Sequence, residues 1–339
     1  MIPDAYLAQT AEHFPRFSPG SIAIESLEKG GSGRKYHRLR LEDGSSLIFV
    51  KYTDQREENR HFCDIAEFLY GLGIAVPKIL RHDPADGLMW VEDLGAIDLW
   101  SYREEPWRVR HALYLSTLEQ VVRIHTRGHR ALDKSAPERP AVIPRFQNAF
   151  DAALYRWEQS YFLEQCAGRH FGVDRASIAI EITGPLDGIA ERLAALPRVL
   201  VHRDFQSQNV MIREHAHASL IDFQGMRPGL GAYDLASLLY DPYVALSPEE
   251  RDILKSDYKR LCAEAEAPVS ADFEAIYDLC AMQRLMQALG AYGYLGHVTG
   301  QAHFLHHIPT ALASLREVTG RIPTLQPLQQ WLGQFQKQA

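Results

Sequence analysis

The most constraining feature of the sequence is the segment 200–223, which reads LVHRDFQSQNVMIREHAHASLIDF. Within it, two short β-prone runs, 210–212 and 219–221, are separated by a few residues and should pair as an antiparallel hairpin. This pairing would bring the amide of Asn209 and the carboxylate of Asp222 to the same end of the hairpin. We therefore expect two oxygen donors to converge there.

The polar residues around this hairpin are typical of phosphoryl transfer. Mg²⁺ takes one or two protein oxygen ligands and fills its shell with water and phosphate oxygens, so Asn209 and Asp222 suit a nucleotide-bound magnesium ion. Asp204 precedes Asn209 and is placed to orient an acceptor hydroxyl and accept its proton. His202 is predicted to hold the loop by hydrogen bonds. The order H-R-D, four residues, N and then D-F matches the catalytic loop and metal-binding motif of protein-kinase-like enzymes.

Strand patterns dominate the N-terminal part of the chain. The predicted strands are 21–28, 36–41, 46–52, 78–82 and 88–92. Between the third and fourth of them, residues 57–72 carry apolar side chains at helical spacing and end at glycines. These patterns predict an antiparallel sheet with one main helix.

Helical periodicity takes over after Gly95. The predicted helices are 108–126, 148–165, 188–196, 233–240, 248–265 and 272–295, with 128–146 as a proline-containing loop. The fold class is therefore predicted to be α+β, a two-lobed protein-kinase-like fold. We expect residues 1–94 to form the nucleotide-binding lobe and residues 95–339 the mainly helical catalytic and substrate-binding lobe, with the ligand site in the cleft between them.

A kinase of this fold needs a cation for the nucleotide phosphates. Lys51 ends the apolar strand LIFVKY and is predicted to supply it. The following helix should offer a glutamate to pair with this lysine, and Glu58 is preferred over Glu57. Either glutamate would also suit a helix N-terminus without contacting the lysine.

Two further segments are candidates for nucleotide binding. The glycine-rich run before the second strand places Ser32, Gly33, Arg34 and Lys35 near the phosphates, although glycines there also suit an ordinary hairpin. The segment joining the lobes, around Glu92 and Leu94, offers main-chain groups to the edge of an adenine ring.

Composition excludes several other classes of protein. The net charge of −7 and the absence of a Lys/Arg stripe argue against a nucleic-acid partner. The 4 cysteines are widely spaced, which predicts buried free thiols in a reducing compartment. No signal peptide and no run of 18 apolar residues is apparent. The expected setting is the cytoplasm, without a membrane partner, and no particular oligomeric state is predicted.

Several longer motifs carry a family resemblance. The segments GGSGRKYHRL, VEDLG, HRDFQSQN, IDFQGMRPGLGAYDLASLLYDPYV and MQRLMQALGAYGYL resemble the aminoglycoside phosphotransferase and choline kinase family. Within it they are most similar to bacterial kinases that phosphorylate the anomeric hydroxyl of N-acetylmuramate and N-acetylglucosamine. The resemblance implies ATP and Mg²⁺ as cofactors, Asp204 as catalytic base, Asn209 and Asp222 as metal ligands, and Asp234 as a structural acid of the catalytic loop. Gln206 departs from the family pattern, which places a histidine there.

The acceptor is expected to be a small molecule, most simply such a sugar. Candidate residues for its binding wall are Gln224, Arg227, Tyr233, Arg284 and Tyr292. The alternatives are an aminoglycoside, choline-type or protein acceptor, and a catalytically silent nucleotide-binding regulatory module. Silent relatives of kinases usually lose a catalytic or metal-binding position, whereas Lys51, Asp204, Asn209 and Asp222 are all present, so an enzyme is favoured.

Overall fold

The computed structural model describes residues 2–18, 20–27, 34–53, 57–133, 135, 140, 142–267 and 269–337, with residues 57, 58, 336 and 337 described by their backbone alone. Its N-terminal part is a five-stranded antiparallel sheet with strand order β1-β2-β3-β5-β4. The strands are β1 Ile22–Leu27, β2 Lys35–Leu41, β3 Ser46–Lys51, β4 Ile79–Asp83 and β5 Leu88–Glu92. The predicted antiparallel sheet is confirmed.

The two faces of this sheet are covered by different helices. On β3, Ile48 and Val50 belong to the main core, which includes helix α2, Phe62–Gly71. Their neighbours Leu47 and Phe49 point the other way and pack in a second core with helix α1, Asp4–His13. This alternation follows from the two-residue period of a strand. Any residue of β3 therefore faces either α2 or α1.

Helix α1 was not predicted from the sequence. Its segment DAYLAQTAEH contains few large apolar residues, so its helical pattern is weak. Only Leu7 and Thr10 are buried, and the indole nitrogen of Trp90 donates a hydrogen bond to the Thr10 hydroxyl at 2.9 Å. The helix is held by the sheet rather than by strong periodicity of its own.

The C-terminal part is mainly helical, as predicted. Its helices are α3 Trp107–Arg123, α4 His129–Leu132, α5 Ala152–Tyr161, α6 Ile180–Ala194, α7 Gly231–Leu239, α8 Pro248–Glu264, α9 Phe273–His297, α10 Ile308–Gly320 and α11 Gln326–Leu332. Wider π-helical turns at Ile124–Gly128 and Phe162–His170 extend α3 and α5. Residues 129–132, expected in a loop, are helical, and α6 begins earlier than predicted because its first turns carry Gly184 and Pro185, which weaken the helical signal.

Short strands place the catalytic segment on this helical part. Strand β6, Val199–Val201, precedes it, and the predicted hairpin is formed by β7, Val210–Arg213, and β8, His217–Leu220. Strand β9, Arg227–Gly229, returns to pair with β6. All cysteines are buried and free, as expected. No helix in the part of the chain that the structure describes is long and apolar enough to cross a membrane.

The connection between sheet and helices is fixed from both sides. After β5, the Asp93 carboxylate accepts hydrogen bonds from Arg38 at 2.7 and 3.1 Å and from Ser46 at 2.7 Å, and Arg38 also donates to the Gly95 carbonyl at 2.8 Å. The side chains of Arg38 and Asp93 are 4% and 5% exposed. Two residues further on, the Ile97 carbonyl accepts from the backbone N–H of Ile212 at 2.9 Å. Residues 93–95 are thus bound to the sheet and residue 97 to the hairpin.

Candidate active site

A buried carboxylate shapes the start of the catalytic loop. Asp234, on α7, accepts hydrogen bonds from the backbone N–H groups of His202 and Arg203, both at 2.7 Å. Its Oδ2 also lies 3.0 Å from Nε2 of His125. These contacts hold Arg203 in the left-handed region, at φ 78°, which is uncommon for a non-glycine residue. His202 is fully buried and its Nε2 bonds the carbonyl of Ile221 at 3.0 Å.

The other end of the loop has an anchor that the sequence did not reveal. Asp241 is 3% exposed and accepts from the backbone N–H of Ser207 at 2.8 Å and from its hydroxyl at 2.5 Å. It also accepts from the N–H of Tyr243 at 3.0 Å. Burial raises the pKa of Asp241, and the hydrogen bonds from Ser207 and Tyr243 oppose that rise. The catalytic loop is therefore tied to the helical part at both ends.

The hairpin places Asn209 beside Asp222 as predicted from its register. Val210 pairs with Leu220, and the carbonyl of Asn209 accepts from the N–H of Ile221 at 3.0 Å. Asp222 follows directly in the left-handed region, at φ 64°. The side-chain amide of Asn209 donates to the carbonyl of Asp204 at 2.9 Å, so one hydrogen bond links the Asn209 side chain to the Asp204 backbone.

The oxygen atoms left over at this end of the hairpin fit a magnesium ion. Since Asn209 uses its NH₂ group toward Asp204, its amide oxygen is left without a protein partner among the described residues. The Asp222 side chain is 41% exposed, and its hydrogen bonds from described residues all go to Oδ1. No group of three or more His, Cys, Asp or Glu side chains in the described ranges could hold a metal by itself. A shell completed by phosphate oxygens and water, as Mg²⁺ prefers, suits this donor pair.

Asp204 is kept ionised by the charges around it. Its carboxylate is 31% exposed, and Oδ2 lies 3.7 Å from a guanidinium nitrogen of Arg203. Burial favours the neutral acid, but the positive charges of Arg203, Arg284 and Arg227 prevail and lower the pKa of Asp204. An ionised carboxylate in this position can accept a hydrogen bond from an acceptor hydroxyl and hold it in line for transfer.

A side chain from the residue before β2 reaches the end of the hairpin where Asn209 and Asp222 lie. Arg34, directly before β2, donates to Asp222 Oδ1 at 3.2 Å and to Gln224 Oε1 at 3.0 Å. Gln224 in turn donates to Asp222 Oδ1 at 2.8 Å. The sequence predicted Gln224 on the acceptor wall, whereas in the structure it lies beside the Asp222 carboxylate, where both ends of its amide are occupied.

Lys51 is not brought to this cluster. Because Lys51 continues the alternation of Leu47 and Phe49, its side chain lies on the face of the sheet that α1 covers. Its ammonium group donates to the carbonyl of Asp86 and lies 5.2 Å from the ring centroid of Tyr6. The expectation that Lys51 meets the nucleotide phosphates is therefore not supported by its placement.

The structure describes only some of the other residues that were predicted to bind the nucleotide. Ser32 and Gly33 lie outside the described residues, as do the side chains of Glu57 and Glu58, so their predicted roles stay predictions. Glu92 uses its backbone N–H toward the Lys78 carbonyl at 2.9 Å, and its side chain pairs with Arg213 at 3.1 Å. The main chain of Leu94 forms no hydrogen bond with any described residue, and its predicted role toward the adenine stays a prediction.

The predicted acceptor-side residues divide into buried and accessible ones. Tyr233 is 1% exposed and its hydroxyl donates to Glu158 at 2.7 Å, and Tyr292 is 4% exposed. Both rings pack in the interior rather than on the wall of a cleft. The guanidinium of Arg284 donates to Ser237 at 2.9 Å, to Gln206 at 3.3 Å and to Gln287.

Arg227 is the most available of the predicted acceptor-side residues. Its Nε donates to the carbonyl of Gly225 at 3.2 Å, and its guanidinium carbon lies 5.4 Å from the ring centroid of Phe150. No carboxylate of the described residues forms an ion pair with it. Burial, and the like charge of Arg203, lower its pKa to about 10, so it stays protonated at neutral pH.

Glu158 is a second residue that sequence reasoning missed. It is fully buried on α5, and it accepts from Tyr233 and, at 3.2 Å, from Gln283. Burial raises its pKa to about 7, although the Tyr233 hydrogen bond and the charges of Arg203 and Arg284 oppose the rise. No sequence signal could have found it, because an isolated glutamate in a helix normally faces solvent.

The sheet, the hairpin and the loop held by Asp234 and Asp241 define an ATP-dependent phosphotransferase of the protein-kinase-like class. Comparison with known proteins identifies the family within this class. Residues 23–271 match the phosphotransferase enzyme family, and the chain belongs to that family.

Individual relatives agree with this assignment. Kinases named N-acetylmuramate/N-acetylglucosamine kinase are 26% identical to the chain: that of Pseudomonas putida over 94% of this chain and 89% of its own length, and that of Pseudomonas aeruginosa over 96% and 91%. The crystal structure of choline kinase LicA from Streptococcus pneumoniae is similar in fold, with a TM-score of 0.61 at 15% identity, covering 93% of this chain and 98% of that one. The predicted family and fold are confirmed, and the chain is a kinase that uses ATP and Mg²⁺ and acts on a small molecule.

Proposed function

We propose that the kinase transfers the γ-phosphate of ATP to the anomeric hydroxyl of an N-acetylated amino sugar, N-acetylmuramate or N-acetylglucosamine. Asp204 orients the sugar hydroxyl and accepts its proton, while Asn209 and Asp222 hold the magnesium ion that neutralises the phosphate charge. The observation that carries the acceptor assignment is the sign of the charge around Asp204. The names of the relatives point to the same substrates.

Three arginines act on Asp204. Arg203, Arg284 and Arg227 each contribute a positive charge that lowers its pKa. Burial opposes the charge on Arg284, but Tyr233, Asp204 and other neighbours keep its pKa above the ordinary value. An acceptor bound at Asp204 therefore meets a positive field, which favours neutral or anionic molecules and disfavours polycations.

Glu158, the acid that accepts a hydrogen bond from Tyr233, offers little to a cationic acceptor. Glu158 is fully buried, engaged by Tyr233 and Gln283, and has a pKa of about 7, so a large part of it is protonated at neutral pH. A site that binds amino groups needs accessible carboxylates. Aminoglycosides and choline are thus disfavoured, whereas the carboxylate of N-acetylmuramate would find Arg227.

A panel of acceptors tests this proposal. The purified kinase is incubated with ATP labelled in the γ-phosphate and with N-acetylmuramate, N-acetylglucosamine, kanamycin or choline, and kcat/KM is measured for each. We expect the two sugars to be phosphorylated far better, with an acid-labile sugar 1-phosphate as product. A higher kcat/KM for kanamycin or choline would refute the acceptor assignment and leave the kinase assignment intact. An acid-stable sugar phosphate would refute the anomeric position.

A further inference from the structure

The structure contains two candidates for the cation that meets the nucleotide phosphates, and they lie on opposite faces of the sheet. Lys51 on β3 is in register with Lys35 on β2, so Lys51 and Arg34 are near neighbours in the sheet. The side chain of Lys51 nevertheless turns toward α1, Tyr6 and the turn that holds Asp86. To reach Asp222, this ammonium group would have to leave both contacts and cross to the other face.

Arg34 already occupies the face on which the catalytic residues lie. Its side chain is 1% exposed, and its guanidinium carbon lies 5.8 Å from the ring centroid of Tyr36 and 5.9 Å from that of Phe62. Phe62 begins α2 and stacks on Phe223, the residue after Asp222, with centroids 4.8 Å apart. Packing from the sheet, from α2 and from the D-F motif thus directs the guanidinium toward Asp222.

The charge of Arg34 is only partly satisfied in this position. Its carboxylate contact, to Asp222 Oδ1, is a single hydrogen bond of 3.2 Å, and its second partner, Gln224, is neutral. The Nε atom is buried and has no hydrogen-bond partner among the described residues. A desolvated guanidinium with unused donors beside a magnesium ligand is suited to bind phosphate oxygens, which accept its fork of N–H groups in pairs.

We propose that Arg34, rather than Lys51, is the residue that binds the terminal phosphates of ATP in this kinase. Asp222 would hold the magnesium ion that accompanies the nucleotide, so the phosphates would lie near this carboxylate. Arg34 is hydrogen-bonded to the same carboxylate and so is within reach of them. Gln224 holds both partners and is the positioning residue of this arrangement. The proposal is independent of the identity of the acceptor.

Nucleotide binding to the full-length protein tests the proposal without reference to turnover. Calorimetry measures Kd for ATP with Mg²⁺ and for adenosine, which lacks phosphates, in the wild type and in Arg34→Ala, Arg34→Lys and Lys51→Met. We expect Arg34→Ala to weaken ATP binding about 30-fold or more with adenosine binding within about threefold, Arg34→Lys to recover part of the loss, and Lys51→Met to change ATP binding less than about threefold. Arg81→Ala, which removes an exposed arginine from β4, is the matched control.

The possible outcomes separate a phosphate contact from a structural one. If Lys51→Met loses ATP affinity while Arg34→Ala keeps it, the proposal fails in favour of the lysine. If Arg34→Ala weakens ATP and adenosine equally, Arg34 only braces the cleft and the proposal also fails. Should Arg34→Ala not fold, Arg34→Lys decides, because a contact with phosphate predicts a selective loss for ATP and a purely structural role does not.

Discussion

The sheet side and the helical side of the candidate active site carry their positive charge in different ways. On the sheet side, one guanidinium, that of Arg34, reaches Asp222, the proposed metal ligand, while Lys51 is bound on the opposite face. On the helical side, Arg203, Arg227 and Arg284 share the task of keeping Asp204 ionised. One substitution can remove the contact of Arg34, whereas one substitution only weakens the positive field that three arginines produce at Asp204. We therefore expect single substitutions to have unequal effects on the two sides.

The largest effect should come from the acid on which the shared field acts. Asp204→Asn removes the proposed base for the acceptor hydroxyl, so kcat should fall roughly 10³-fold or more. The nucleotide contacts lie elsewhere, so the Kd for ATP should stay near that of the wild type. Steady-state kinetics and calorimetry measure the two quantities separately. Turnover within tenfold of the wild type would remove Asp204 from this role.

Substitution of Asp222, the proposed metal ligand, should have the next largest effect, and this effect should appear in the binding of ATP. Asp222→Ala deletes the charged ligand and leaves the neutral Asn209 amide, so the gain in ATP affinity on adding Mg²⁺ should fall by about 100-fold. Titrations of ATP with and without Mg²⁺ measure this gain. Adenosine, which needs no metal, is the control ligand. An unchanged magnesium dependence would place the metal elsewhere.

Among the three arginines near Asp204, we expect Arg227 to affect the choice between sugar acceptors more than turnover. Arg227→Ala should raise KM for N-acetylmuramate about tenfold, because the sugar carboxylate loses its proposed partner, and raise KM for the uncharged N-acetylglucosamine much less. Arg108→Ala, at an exposed position of α3, is the matched control. Equal losses for the two sugars would mean that Arg227 does not contact the carboxylate.

The smallest expected effect is on stability, and it comes from the buried acid Glu158. Glu158 has a usual pKa of 4.5 and one of about 7 in the fold, so the folded state favours its neutral form. The wild type should therefore lose stability as pH rises from about 4.5 to about 7, whereas Glu158→Gln, which cannot ionise, should not. We expect the Tm difference between variant and wild type to grow by about 5 °C over this interval.

Thermal unfolding at several pH values measures this difference. Glu181→Gln, which changes an exposed glutamate of α6, is the control and should give a constant difference. A constant difference for Glu158→Gln as well would mean that Glu158 has an ordinary pKa in the folded protein.

The contrast between the two sides also explains what the sequence could predict. Asn209 and Asp222 belong to one hairpin, so spacing and register alone bring them together. The face on which Lys51 lies depends instead on the alternation along β3 and on α1, whose weak pattern gave no signal. Glu158 and Asp241 required the packing of distant helices. Residues close in sequence were thus predictable, and residues positioned by tertiary contacts were not.

The ties on either side of Ala96 have a consequence for motion. Arg38 binds Asp93 and the Gly95 carbonyl to the sheet, while Ile97 and Asp98 are joined to β7 through Ile212 and Met211. Within residues 93–98, a rotation of the sheet relative to the helical part would therefore concentrate in the torsion angles between Gly95 and Ile97, where Gly95 already has φ 89°. We expect such a rotation to pivot about this short segment, and releasing the Arg38 contact by Arg38→Met should lengthen the pivot, which inter-lobe distances from paired spin labels would reveal as a broader distribution.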